Sequence, residues 1–376
     1  MLPPSILALV RNAPTVAPIP HRAVLSVTGS QAGEFLNGLI TSPIPTDPQA
    51  HFFTTFLHAQ GRVLYDAFVY AQAGKGGAPG FLVEYDARPS EAPPLLAMLK
   101  RYVLRSKVKL RDVSEEYDVW AAWGSEKEKT WDVKRKWDLT RNDFMTPEWD
   151  ENAAWPWGTT PGVIQDRRAP GMGHRLLVRK GDRPQEVSTH DVASAEDYQL
   201  HRTLRSVPEG VLDIRPMKAF PMESNLDIMG ALNYSKGCFV GQELTARTYF
   251  TGILRKRILP VAVRQSGNRS LVDSPLPLLD IRTVPNQRWK DGDGVQKTMR
   301  RSHGKLLSSY KGLGFALLRL EDLVPIHMEL ATLEIEDGET KYEVEYLWPD
   351  WWPRQSPRLA LLDAHERFAV GNQRQD

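Results

Sequence analysis

The chain carries a single cysteine, Cys238, inside the run Lys236-Gly237-Cys238-Phe239-Val240-Gly241-Gln242-Glu243. A lysine ammonium near a thiol favours the thiolate, the form that attacks electrophiles and binds soft metals. Gly237 and Gly241 would give the loop backbone angles and close approaches that a Cβ resists. A free cysteine also serves as a small buried hydrophobe, and spacing and composition alone favour that plainer reading. One thiol excludes an internal disulfide and a self-contained zinc or iron–sulfur site. If Cys238 does chemistry, it acts as one ligand of a cluster shared with a partner, or as a transient nucleophile or redox group.

The run resembles the signature of the YgfZ branch of the YgfZ/GcvT family, whose other branch is the aminomethyltransferase of glycine cleavage. Further blocks extend the resemblance over roughly residues 21–347. They include His21–Leu25, Phe35–Thr41, Ala59–Asp66, Pro208–Gly210, Phe220–Asp227 and Leu244–Thr248 followed by Thr251-Gly252. The resemblance implies two interleaved mixed α+β subdomains and a small C-terminal β-barrel around a central channel. It also implies a mitochondrial matrix factor needed for making 4Fe–4S proteins, a monomer when alone, with A-type iron–sulfur scaffold proteins as partners. Cys238 would then complete the ligand set of a shared 2Fe–2S cluster. Lys236 would keep that site electropositive, Gln242 and Glu243 would orient the loop, and Arg247 would fix local structure.

The alternative is a tetrahydrofolate-dependent one-carbon transferase. Its channel would involve Asp66, Tyr65, Arg202 and Glu223. Two departures weaken that reading. The transferase pattern places two aspartates where this chain has Tyr65-Asp66, and a phenol in place of one carboxylate speaks against general acid or base work there. The glutamate expected to grip the pterin falls on Leu204, which cannot pair with pterin N–H groups. Non-enzymatic cluster assembly is the preferred reading.

The remaining composition fits a soluble globular protein of two or three domains. There are 376 residues, 41% hydrophobic and 25% charged, with a net charge of +2. No apolar run approaches the about 18 residues of a membrane-spanning helix. Residues 253–311 hold thirteen Lys or Arg against four Asp. Without an aromatic-interleaved basic motif, that bias reads as a solvated face, not a nucleic-acid site. The first 33 residues contain Arg11 and Arg22 and no acid, in the manner of the end of a transit peptide.

The elements that must position Cys238 follow from periodicity. Ala23–Val27 reads as a strand, with Ser30 capping a helix through Phe35, Leu36, Leu39 and Ile40 that ends at Pro43 and Pro45. Residues 51–57 and 62–70 form a hairpin about Ala59-Gln60-Gly61. A helix spans about 93–104. Ser194, with Asp197 three residues on, opens a helix to Arg205 in the manner of a capping box. His201 reads as a satisfied helix histidine. The expected units are residues 20–115, 116–251 and a barrel over 252–347, with 348–376 as a tail. A polar insert, 264–303, should be mobile or lie outside the barrel. Trp131, Trp137, Trp149, Trp155 and Trp157 should pin an irregular insertion, 124–160, to the body.

Overall fold

A computed structural model describes residue 6 and residues 13–73, 79–125, 135–139, 144–150, 153–268, 270–276, 278–286 and 304–352. Trp131, residues 287–303 of the polar insert and the tail beyond residue 352 lie outside the described residues.

Two five-stranded sheets, a closed six-stranded barrel and a two-stranded antiparallel pair, Arg135–Leu139 with Met145–Trp149 in the segment expected to be irregular, make up the described architecture. In the first sheet the strands Phe52–Leu57, Val63–Ala73, Pro79–Asp86, Arg22–Thr28 and Lys109–Asp112 lie side by side in that order, all antiparallel. Alternate residues of a strand point to opposite faces. One face therefore presents Phe52, Phe56, Tyr65, Val69 and Val83 to the helices Ala32–Asn37 and Leu95–Val103. The other presents Phe53, Phe68, Tyr70 and Leu82 to the second sheet. Burial on both sides explains why Phe52–Leu57 is buried at every position.

The second sheet runs Val163–Gln165, His174–Arg179, Tyr117–Trp123, Thr15–Pro18, Asp191–Val192. Thr15–Pro18 precedes the whole first sheet, so the two units are interleaved through the chain's beginning. Helix Ala195–Leu204 follows, and its reciprocal Ser194–Asp197 capping box is present as expected. The expected hairpin about Ala59-Gln60-Gly61 is present too. Trp157 is buried and stacks on Phe53 at 6.0 Å, while Trp137 stacks on Trp351 at 6.3 Å. Both rings pin their segment to the body.

The barrel order is Lys256–Gln265, Leu313–Arg319, Gly304–Tyr310, Asp280–Pro285, Ala331–Asp337, Thr340–Tyr346. This corrects one expectation. Asp280–Pro285 lies within the segment expected outside the barrel, yet it pairs with Ala331–Asp337 and closes the barrel. Ile281 and Thr283 turn inward and carry the strand, although the sequence around them is polar and Pro-rich. A second correction concerns the first helix. It starts after Gln31, whose side chain makes no cap bond, and it ends at Asn37, well before Pro43. Ile40 has already left it to bridge Phe56.

Candidate functional site

Cys238 is exposed, in the loop between a run of tight turns ending at Gly230 and the helix Gln242–Thr251. Exposure excludes the buried-hydrophobe reading. The loop is held by its neighbours. Lys236 Nζ donates to the carbonyls of Asn37, Ile40 and Ser42 at 2.7, 2.7 and 3.0 Å. An ammonium has three donors, and all three are committed. Burial pushes Lys236 down to about 8. Its ammonium lies 5.2 Å from the Phe239 ring centroid, and Phe239 packs on the core between the sheets. Lys236 is thus an anchor of the loop, a role the sequence reading did not assign to it.

The same stretch, 37–42, holds the loop at further points. Val240 N–H donates to the Gly38 carbonyl at 3.1 Å and Asn233 N–H to the Thr41 carbonyl at 3.1 Å. Thr41 and Ser42 hydroxyls both donate to the Ala231 carbonyl, at 2.6 and 2.9 Å. Two of the sequence blocks, about 35–41 and 236–243, are therefore one structural unit.

A third block joins through two glycines. Gly241 has φ +83°, and a Cβ there would stand 2.5 Å from the His58 carbonyl oxygen and 2.8 Å from Leu57 Cβ. Gly61, at φ +73°, would bring its Cβ 3.0 Å from Leu244 Cβ. The hairpin turn and the start of the helix touch backbone to backbone, which only glycine allows here. Gly237 is different. A Cβ there would meet nothing within 4 Å, and its φ is not in the left-handed region. Local geometry does not demand a glycine beside the thiol, contrary to the reading from sequence.

Gln242 does orient the loop: its Oε1 accepts from Phe239 N–H at 3.3 Å, and its own N–H donates back to the Phe239 carbonyl at 3.2 Å. Glu243 and Arg247 are exposed on the helix. Arg247 makes no side-chain bond to a described residue. Phe250 and Ile253 continue this face, 68% and 52% exposed. Sequence reasoning missed both; the signal was two large apolar residues flanking Gly252, the glycine that ends the helix.

The residues assigned to a ligand channel lie elsewhere and are occupied. Asp66 is 3% exposed; its Oδ1 accepts from Gly210 N–H at 3.0 Å, and its Oδ2 is 3.5 Å from Arg22. Burial raises its pKa against the pull of Arg22. Tyr65 faces the opposite side of its strand and donates to the Pro93 carbonyl at 2.9 Å. Arg202 is buried, with its guanidinium on Asp213 and on the Val207 carbonyl. Leu204 packs with Ile6, Leu200, Ala262 and Leu313. Glu223 is half-buried, and burial raises its pKa against Lys256, Arg62 and Arg319.

Asp66 belongs to a larger buried charge network between the two sheets. Arg22 binds Glu84 at 2.7 Å, and Arg175 bridges Glu84 at 3.3 Å and Glu209 at 2.6 Å. Arg168 joins Glu209 at 2.7 Å and Asp166 at 2.6 Å. Tyr198 and Tyr70 donate to Glu209 and Glu84. Every one of these side chains is essentially inaccessible to water. Glu209 is held well below the usual carboxylate range, because four arginines outweigh its own desolvation. The network fills the space between the sheets with paired charge. Glu209 lay in a block singled out in the sequence, but nothing local announced it as a hub.

The described residues hold no group of three or more His, Cys, Asp or Glu placed to bind a metal ion.

Comparison with known proteins sets this geometry in context. Residues 255–354 match the family model of the CAF17 C-terminal β-barrel domain. The mitochondrial iron–sulfur cluster assembly factor IBA57 homologue of Cryptococcus neoformans var. neoformans serotype D (strain JEC21) is 36% identical over 326 residues. The match covers 82% of this chain and 84% of that protein. The IBA57 homologue of Mycosarcoma maydis is 30% identical over 375 residues, covering 91% of this chain and 86% of that one. In fold, the chain is similar to the glycine cleavage system aminomethyltransferase T of Bartonella henselae, with a TM-score of 0.58 at 12% identity. That likeness covers 92% of this chain and 87% of the other.

Proposed function

Since the chain belongs to the IBA57 family of mitochondrial iron–sulfur cluster assembly factors, we propose that it acts by lending the Cys238 thiolate to a cluster carried by another protein. The carrier is an A-type scaffold bearing a 2Fe–2S cluster, and the shared state precedes 4Fe–4S formation. The observation that carries the proposal is the division of labour within the motif. Lys236, Val240, Gly241 and Gln242 are spent on fixing the loop, and the Cys238 thiol is left to solvent.

Ligation needs little from this chain beyond position. The thiol gives its proton to solvent and the sulfur bonds one iron of the cargo, displacing a ligand of the carrier. The exposed helix face beside it, Arg247 to Phe250, leaves room for a carrier to approach.

A folate-transferase role has less support. Asp66, the carboxylate that would polarise the transfer, is closed in by Arg22 and the Gly210 amide. The test is a Cys238→Ala variant mixed with cluster-loaded A-type scaffold, followed by visible absorbance and gel filtration. Wild type should co-elute with the cluster, and the variant should lose the colour from the complex. Unchanged co-elution and colour would refute ligation by Cys238. Turnover of a methylene-folate substrate at enzymatic rates would support the transferase instead.

A further inference from the structure

The helix Leu95–Val103 buries Leu95, Met98 and Leu99 against the first sheet and leaves its far end in water. The chain from Ala92 to Leu110 contains no acid, while Lys100, Arg101, Arg105, Lys107 and Lys109 are all exposed. None of the five has an ionic partner among the described residues. Arg111, one step further, is neutralised by Glu116. Lys100 and Arg101 sit in the last helical turn, where cations suit the helix dipole, but Arg105 and Lys107 lie beyond it.

Leu104 stands in the middle of this charge. It is 87% exposed, the most exposed of the described large apolar residues. Its φ is +43°, a left-handed conformation that costs a branched side chain energy and suits glycine. Neither backbone preference nor packing accounts for a leucine there. Tyr102, 39% exposed, lies two residues away. Leu104 and Arg105 also line an open depression of about 550 Å³ together with Gln31 and Ser106. Gln31 braces its floor by accepting from Lys107 N–H at 2.8 Å. The neighbouring acid is Glu34, which accepts from Gln31 at 3.4 Å.

We propose that this turn is a peripheral docking site for an anionic lipid surface, with Leu104 entering the headgroup layer and Lys100, Arg101, Arg105 and Lys107 resting on lipid phosphates. Four to eight basic residues around an apolar tip are what such a surface attracts, with the attraction confined to about a Debye length. The depression beside Leu104 and Arg105 gives one phosphate headgroup a place to sit. Charge complementarity selects the occupant: the patch joins unpaired positive charge to a single protruding apolar side chain, which matches anionic headgroups over acyl chains. The contact is peripheral, since no described helix is long and apolar enough to cross a membrane.

The test is sedimentation of the full chain with two kinds of vesicle, phosphatidylcholine alone and an equal mixture of phosphatidylcholine and phosphatidylglycerol. Binding should occur only to the mixed vesicles and should weaken with salt. Reversing Arg105→Glu and Lys107→Glu should lower affinity about fivefold or more per site. Leu104→Gly should also lower it while leaving the thermal midpoint unchanged or higher, because glycine accepts the backbone angle. Arg183→Glu, an exposed reversal elsewhere, should leave binding intact. Three results would overturn the proposal: no binding to mixed vesicles at low salt, equal loss with Arg183→Glu, or binding to an RNA duplex but not to vesicles. Full displacement by millimolar inorganic phosphate would also count against it, pointing to a site for a single free anion.

Discussion

Cys238 stays accessible because the residues beside it are committed. The type and order of Lys236–Glu243 were readable from sequence, and so was the presence of one thiol. The partners of Lys236 were not, because they are backbone carbonyls nearly two hundred positions away. The two glycines looked equivalent in the sequence and are not. Gly241→Ala should destabilise the fold by about 2 kcal/mol or more, since φ is positive and backbone blocks the Cβ. Gly237→Ala should change stability by no more than about 0.5 kcal/mol. Urea denaturation of the two variants side by side checks this, and equal losses would mean that the loop geometry described here is wrong.

At the scale of elements, Lys236 ties the thiol loop to the segment after the first helix, three carbonyls to one ammonium. Lys236→Met keeps the stem and removes every donor. The expected cost is about 2 kcal/mol, with faster hydrogen exchange at Val240 and Asn233, whose amides bond the same segment. Unchanged exchange there would show that the two segments are not coupled. The helix Ala195–Leu204 carries a pH signature. His201 stacks on Trp123 at 4.7 Å, and burial, with Arg205 adding to it, depresses its pKa to about 3. The unfolded chain takes up this proton below about pH 6.5 and the folded chain does not until about 3. Its contribution is therefore complete above pH 6.5 and is lost as pH falls through that window. His201→Phe should keep the ring stack and move the acid-unfolding midpoint to lower pH; a midpoint that does not move would contradict the assignment. Sequence patterns gave this helix with its capping box and the hairpin about Gly61, because each has a local signature. They missed the strand Asp280–Pro285, whose pairing comes from Gly304–Tyr310 and Ala331–Asp337, some twenty and fifty residues on.

The whole molecule is organised about two things that no local pattern discloses: a charge network sealed between the sheets and a thiol left outside. Arg22, Glu84, Arg168, Arg175 and Glu209 come from five separate strands or loops, and only the folded chain shows them as a unit. Glu209→Gln leaves the arginines short of one negative charge. It should cost about 3–5 kcal/mol, read as a lower urea midpoint at unchanged slope, whereas a loss under about 1 kcal/mol would deny Glu209 its place as hub. Overall architecture was the most legible level, since the motif blocks implied interleaved α+β units and a barrel. The closed packing about Asp66 and Arg202 was hidden, because it depends on which face of each strand meets the second sheet. The central claim is that this scaffold exists to hold one thiol where a carried cluster can reach it. Visible circular dichroism of a 2Fe–2S-loaded A-type scaffold, titrated with wild type and with Cys238→Ser, tests that claim most directly. The account predicts a new cluster spectrum with wild type, saturating at a fixed ratio of the two proteins, and a different spectrum or none with the variant. Identical spectra from both proteins would contradict it.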